Sequence, residues 1–394
     1  MKKVVFTILT MLLLTICTFS LVNAASVNIT EAPDIKIVID GNITENTNVP
    51  LIINDRTMLP LREVLVKLGV QNDNQHIIWN DKERSITIIK DDVKVNLKVG
   101  STAAYVNNTE ITLDAAPVIY EKNNYTYIPV RFVAQALGKT VVWDNYTRSV
   151  LIKDQKDFDE IKSILNNVNE AGKSFNKLAT GIDIQLKQTS GSVLSLSGNI
   201  SGTIEVDKDS KTMHMVMGIK PDILPINIDL EYYLFNGKVY YKGFLSEGWE
   251  ELPLDELGEI GSLDEAFNES LINISVSDLL CAGLTKTAGS NPDEIILKGN
   301  VYIGDIKEIL DGQDYEDIDI SSVKINNYYT EMTINTKTNQ IINQIIDISM
   351  DIPASIDALE NYIGTIALEG FDAQISLTYD YNNDFVINIP DELK

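Results

Sequence analysis

Two histidines, His76 and His214, are all the imidazole in this chain. A catalytic histidine needs a partner group within hydrogen-bond reach, and neither has one marked by sequence spacing. His214 alternates with Met213 and Met215, so strand geometry would turn it away from the methionines and into solvent. Cys281 lies in Asp-Leu-Leu-Cys-Ala-Gly with no histidine nearby; it reads as a small buried hydrophobe. Asp311, Asp314, Glu316, Asp317 and Asp319 form an acidic cluster. A calcium loop alternates acids around a glycine at a fixed sixth position. Gly312 is out of place for that, so an acidic turn is expected. Met213, Met215 and Met217 could be a soft-metal strip, but their alternation points first to the core face of a strand. No catalytic, cofactor-binding or metal-binding residue is assigned. A hydrolase whose carboxylates meet only in the fold stays open; its mark would be two carboxyls about 5 to 9 Å apart.

The arginines have a different pattern. Arg62 and Arg84 lie in Arg56–Ile88, and Arg131 and Arg148 lie in Tyr125–Ile152. Setting Pro60 on Pro129 brings Arg62 onto Arg131 and Gly69 onto Gly138. After five fewer residues in the second loop, Trp79 falls on Trp143 and Arg84 on Arg148. An internal repeat of this kind fixes architecture. Each copy reads as an entering strand, a helix and a hairpin. The prolines open the helices, where a missing N–H is harmless. Leu61, Val64, Leu65 and Leu68 form one helical stripe, matched by Val130, Val133, Ala134 and Leu137. The glycines end the helices in a left-handed conformation. Two half-units, 35–99 and 105–152, are expected to cover each other's apolar faces. The recurring arginines are expected to serve structure, pairing with carboxylates across each unit.

Lys2 and Lys3, the apolar run Val4 to Leu21 and the small-residue site Val22-Asn23-Ala24 have the build of a secretory signal peptide, 1–24, cleaved near Ala24. Ile16 before Cys17 is too bulky for a lipoprotein cleavage site. With no second run of spanning length, a transmembrane protein is not expected. Removing the leader leaves Cys281 alone, so an internal disulfide is excluded. The apolar fraction of 44% suits a folded chain. Charge divides the chain. From Pro33 to Asp154 there are 14 Lys+Arg against 15 Asp+Glu, whereas Gln155 to Lys394 has 16 Lys, no Arg and 41 acids. Nucleic-acid binding needs clustered cations, so it is excluded as a function class.

The repeat, with Arg56-Thr57-Met58-Leu59-Pro60-Leu61-Arg62, Val99-Gly100-Ser101, Tyr127-Ile128-Pro129-Val130-Arg131-Phe132, Leu137-Gly138 and Trp143-Asp144, resembles the stalk-like N-terminal domain of copper amine oxidases over residues 33–154. The resemblance implies a small α+β domain of antiparallel strands wrapped on a helix. It also implies a secreted or surface protein of a Gram-positive, Clostridium-like bacterium, with the module placed before an unrelated domain. Amine oxidase chemistry belongs to a separate domain. It requires three histidine ligands for copper and a quinone-forming Asn-Tyr-Asp/Glu-Tyr motif. Two histidines cannot build that site, and Asn124-Tyr125-Thr126-Tyr127 lacks the acidic residue. No cofactor is expected.

Lys153 to Asp157 reads as a charged hinge before a helix carrying Phe158, Ile161, Leu165, Val168, Phe175 and Leu178. Period-two strands follow: Leu194 to Val206, Met213 to Met217, Ile226 to Leu234, a tight Asn236-Gly237 hairpin, and later Ile325–Asn335, Gln340–Asp351 and Thr365–Tyr381. Short helices are expected at 254–257, 262–267, 275–280 (capped by Ser275) and 305–310. This order, with the Tyr233–Tyr240 hairpin, Trp249 and the closing Ile387-Asn388-Ile389-Pro390-Asp391, is similar to the LolA/LppX-like superfamily of lipoproteins and lipoprotein carriers over 158–394. That resemblance implies a half-barrel with an apolar interior. The fold expectation is α+β: the duplicated domain, then a curved antiparallel half-barrel sheet with helices on its concave side. The functional expectation is a non-enzymatic secreted or surface protein. Its N-terminal domain would attach or interact, and its second domain would bind an apolar or lipid-like ligand or a surface partner. A structural cell-wall spacer without ligand is the alternative.

Overall fold

The computed structural model describes residues 29–191, 197–253, 267, 271–302, 324–351, 354–356, 366–382 and 384–394. The expected leader, the helices at 254–257, most of 262–267 and 305–310, and the acidic cluster 311–319 lie outside them. Strands β1 (Ile29–Glu31), β2 (Lys36–Ile39), β3 (Asn42–Thr44), β4 (Leu51–Ile53) and β5 (Arg56–Pro60) lead into helix α1 (Leu61–Lys67). The hairpin β6 (Ile77–Asn80) and β7 (Ser85–Lys90) follows, then β8 (Val93–Lys98), β9 (Ala103–Val106) and β10 (Thr109–Thr112). The second copy is β11 (Val118–Tyr120), β12 (Tyr125–Pro129), α2 (Val130–Ala136), β13 (Lys139–Asp144) and β14 (Ser149–Asp154).

The chain divides into two compact units, Met1–Pro33 with Thr47–Val133, and Asp34–Asn46 with Ala134–Lys394. In the first, equivalent strands of the two copies pair antiparallel, Met58 opposite Pro129 and Pro60 opposite Tyr127. They form the middle of a sheet ordered β1-β4-β5-β12-β11. The first copy's hairpin belongs to the sheet β10-β9-β8-β7-β6. Leu51, Ile53, Met58, Ala115 and Tyr127 form one buried cluster.

In the second unit, the other copy's hairpin takes β2 in parallel alongside β14, giving the order β13-β14-β2-β3. Strand β14 runs straight into α3 (Gln155–Gly172), whose N-cap is Asp154, accepting from the Lys156 N–H at 3.0 Å. The charged stretch is therefore no hinge. It is the last turn of a strand and the cap of a helix, and Lys153 is buried. The helix also stops earlier than its apolar spacing suggests. Phe158, Ile161, Leu165 and Val168 are its buried stripe. Phe175 lies beyond its end, and Leu178 belongs to the next strand, because strand pairing wins once the chain reaches the sheet.

That sheet contains twelve strands. They are β15 (Lys177–Gly191), β16 (Gly198–Asp207), β17 (Thr212–Pro221), β18 (Ile228–Phe235), β19 (Lys238–Lys242), β20 (Glu250–Leu252), β21 (Leu284–Ala288), β22 (Glu294–Asn300), β23 (Lys324–Asn335), β24 (Gln340–Asp351), β25 (Ala354–Ile356) and β26 (Ile366–Asp380). The order β20-β19-β18-β17-β16-β15-β26-β24-β23-β22-β21 brings the first and last long strands together at the centre; β25 pairs β26. Asn236 and Gly237 have φ of 51° and 72°, the geometry of a tight hairpin. Helix α4 (Asp278–Gly283) is capped by Ser277, whose Oγ accepts from the Leu280 N–H at 2.9 Å, rather than by Ser275.

The described residues are mainly strand, with four α-helices, so the α+β label overstates the helical share. The large sheet is curled into a half-barrel. Helices α3 and α4 pack on its apolar face through a cluster that includes Leu178, Leu284, Leu297 and Met332. Val38 and Leu151, from the small four-stranded sheet, belong to the same cluster.

Candidate functional site

The pairing register aligns the apolar face of the large sheet into rows across the strands. One row runs Ile228, Ile219, Ile200, Ile184, Ile375 and Ile346, six isoleucines on six neighbouring strands. β-Branched side chains fit such a pleated surface and have little rotamer freedom to lose. The row on one side holds Leu230, Met217, Gly202, Ile182 and Leu377. The row on the other side holds Gly198, Leu186, Ala373, Ile348 and Tyr328. All six isoleucines are only half-buried, and none belongs to the buried clusters formed among the described residues.

The face differs along the strands. At the end where β15 begins, Leu178 belongs to the helix-covered cluster. There Leu234, Val239 and Phe267 form another, with Val206, Met213, Tyr232 and Leu252 packed on it. At the other end, Leu186, Ile200, Ile219 and Ile228 remain partly open. Met213, Met215 and Met217 point to this apolar face, as their alternation implies. Gly202 sits between Met217 and Ile182; a Cβ there would meet the Val216 carbonyl oxygen at 2.0 Å, so the close approach of β17 leaves no room for a side chain.

The opposite face is polar. His214 does not point freely into solvent. Its Nδ1 lies 3.1 Å from Glu205 and its Nε2 lies 2.9 Å from Glu231. The ring stacks on Tyr233 with centroids 4.2 Å apart. Burial, helped by Glu231 and Glu205, pushes the Tyr233 hydroxyl up to about 12. The two carboxylates flank opposite edges of one imidazole, which is an anchoring arrangement rather than a converging ligand set. Among the described residues no group of three or more His, Cys, Asp or Glu is placed to hold a metal ion. His76 is held by Asp73 at 2.8 Å, inside the loop before β6. Cys281 is fully buried in α4.

The repeat hallmarks serve local conformation. Pro60 and Pro129 end β5 and β12 and open the helices. Gly69 and Gly138 follow the helices with φ of 83° and 75°. The Val70 N–H reaches back to the Leu65 carbonyl at 2.9 Å, a C-terminal cap that needs that left-handed glycine. Arg84 and Arg148 occupy the same last position of the two hairpin loops, with φ of 48° and 51°. The turns thus span four residues each, 81–84 and 145–148. Arg148 also pairs with Asp34 and lies 6.0 Å over the Trp143 ring. Arg62 donates to Asn72 at 3.0 Å. Arg131 is exposed on α2, and Trp79 is exposed on β6, its Nε1 3.4 Å from Asp81. Tyr127, of the quinone-like tetrapeptide, is fully buried. Its hydroxyl donates to the Val49 carbonyl at 3.1 Å, and burial raises its pKa.

Sequence reasoning missed two features. Asp144 is fully buried and accepts from the Tyr146 and Thr147 N–H groups at 3.1 and 3.3 Å. Asn80 plays the same part in the first copy, accepting from the Glu83 N–H at 3.2 Å. Lys153 is the other: burial lowers its pKa against the pull of Asp40 and Asp157.

Residues 38–152 match the copper amine oxidase N-terminal domain. Comparison with curated proteins gives no match. Among solved structures, LprF from Mycobacterium bovis is similar at 12% identity and a TM-score of 0.32, over 59% of this chain and 97% of that one. A LolA superfamily protein from Nitrosomonas europaea is similar at 9% identity and a TM-score of 0.19, over 59% of this chain and 96% of that one. Among the described residues no helix is long and apolar enough to cross a membrane.

Proposed function

We propose that this is a non-enzymatic extracytoplasmic protein whose large sheet holds an apolar or lipid-like ligand. One observation carries the reading: the six-isoleucine row, half-buried and, among the described residues, outside the buried clusters. A contiguous apolar surface of this kind marks an interaction or ligand site. The face offers area and few directed polar groups, which suits a flexible hydrocarbon chain better than a small polar substrate. The leader-like N-terminus supports export. Residues 33–154 would serve as the attachment or interaction module, with 158–394 as the ligand domain.

Native mass spectrometry of the purified chain, with organic extraction, tests the ligand. Bound acyl material, or displacement of a fluorescent apolar probe by fatty acid, is expected. A chain that carries no apolar molecule and takes up no probe would sink the reading. Retention on purified cell wall tests the attachment role separately.

A further inference from the structure

The β17–β18 and β19–β20 connections leave the sheet at one end. Ile219 and Ile228 are the last pair before the first, and Glu231 opposite Lys242 is the last before the second. Both turns carry exposed large hydrophobics. Ile223 and Leu224 are 48% and 49% exposed; Phe244 and Leu245 are 56% and 88% exposed. This is the end at which the apolar face is open. At the other end, Asn236-Gly237 makes the turn and the buried clusters close the face.

The second turn is built to present its residues. The Ser246 N–H donates to the Gly243 carbonyl at 3.1 Å, and the Gly243 N–H donates to Ser246 Oγ at 3.0 Å. Phe244 and Leu245 therefore occupy the two corner positions of that turn, both exposed. The first turn is tied by the Asp222 N–H to the Ser197 carbonyl at 2.9 Å. Charge is balanced here. Residues 220–228 and 242–249 contain Lys220 and Lys242 against Asp222 and Glu247, on a chain of net charge −25. The turns themselves thus add no net negative charge, although Asp229, Glu250 and Glu251 flank them.

We infer that these two turns form a rim that docks on a lipid bilayer, bringing the open end of the apolar face to the membrane. The inference rests on the apolar-ligand reading above. Exposed aliphatic and aromatic corners fit the headgroup–acyl boundary, which needs apolar area and no matching shape. Transfer of an acyl chain between bilayer and sheet then avoids a passage through water.

The test uses the chain beginning at Ala25, so that the leader cannot itself insert. It is sedimented with vesicles of phosphatidylcholine and with an equimolar phosphatidylcholine–phosphatidylglycerol mixture, at low and high salt. Co-sedimentation with both, little changed by salt, is expected. The variant Ile223→Ser, Leu224→Ser, Phe244→Ser, Leu245→Ser should sediment about tenfold less. Its thermal unfolding and its probe binding in vesicle-free solution should match the parent. A parent that binds probe but no vesicles overturns the rim and leaves the ligand reading standing; a parent that binds neither overturns both. Equal sedimentation of parent and variant overturns the rim. So does a concentration-dependent dimer that the variant loses, which would assign these turns to a second copy.

Discussion

Replacing Leu151 by Ala tests whether the second repeat's hairpin is built into the core of the large sheet. Leu151 is fully buried on β14 and belongs to the cluster that holds Phe158, Leu165, Leu280 and Met332. Truncation removes the transfer energy of the lost methyl and methylene groups and leaves a cavity that close-packed neighbours fill only partly. For a fully buried leucine that costs about 2–5 kcal/mol. With a urea m-value of about 3 kcal/mol/M, typical of the upper end for small proteins, the midpoint falls by about 1 M. The assay needs a reporter remote from the mutation. In a Trp79→Phe, Trp143→Phe background the remaining tryptophan is Trp249, which lies edge-on to Tyr233 of the large sheet at 5.3 Å. Its fluorescence transition should shift by the full amount. If the Trp249 midpoint stays put while circular dichroism shows an early transition, the hairpin melts alone and the shared core is refuted.

Three further outcomes follow from single residues. Asp144→Ala should cost about 1–3 kcal/mol in thermal or urea unfolding, because it takes the buried carboxylate acceptor from the part-buried turn N–H groups of Tyr146 and Thr147. Lys153→Met should be neutral or stabilising by about 1 kcal/mol, since a buried cation is replaced by an apolar group of similar length. Burial lowers the Lys153 pKa, so in the window between the folded value and the ordinary 10.5 the unfolded state holds more protons. Wild-type stability therefore rises with pH there, and its deficit against the variant should shrink near pH 10, as denaturant titration at two pH values would show. Burial opposes ionisation of Asp207, but hydrogen bonds from Ser210 and the Lys177 ammonium, 3.3 Å away, outweigh it and lower its pKa. Its contribution is present above the unfolded value near 3.8 and is lost as pH falls through the lower folded value. Asp207→Asn should flatten that acid limb of a melting-temperature profile.

The repeat was legible because it is local: proline, helical stripe, terminal glycine and hairpin are set by residues a few positions apart. What each hairpin joins was not. The two copies send theirs to different sheets, and the second takes β2 in parallel, a choice made by distant strands. The arginines show the same limit. Arg84 and Arg148 were visible as a periodic pair, but their left-handed backbone is a position where glycine or asparagine is the usual signal. Lys153 looked like part of a polar hinge because charge in sequence does not say which side of a strand is covered. On the large sheet, alternation revealed an apolar face in each strand, while the isoleucine row exists only once hairpin turns set the register. The rim turns did carry a signal that went unread: Gly243 and Ser246 bracket Phe244-Leu245, placing two large apolar residues at the corners of a turn.

Among the described residues, lengths explain why the face is more fully covered at one end than at the other. Helix α3, with 18 residues, is about 27 Å long at 1.5 Å per residue. Strand β15, with 15 residues, is about 50 Å long at 3.3 Å per residue. Helix α4 adds 6 residues, or about 9 Å. Even laid end to end along the strand, the two described helices that pack on this face would fall short of its length. They share a cluster with Leu178, at the start of β15, so the shortfall lies toward Leu186 and the isoleucine row. A sheet meant only as a spacer could shorten its strands to match its helices and bury the whole face. This one instead continues its apolar alternation past the cover, through Ile184 and Leu186 on β15 and through Ile219 on β17. Extending a strand with isoleucines beyond its covering helices exposes apolar area for no gain in folding. The apolar ligand proposed above would give that length a use.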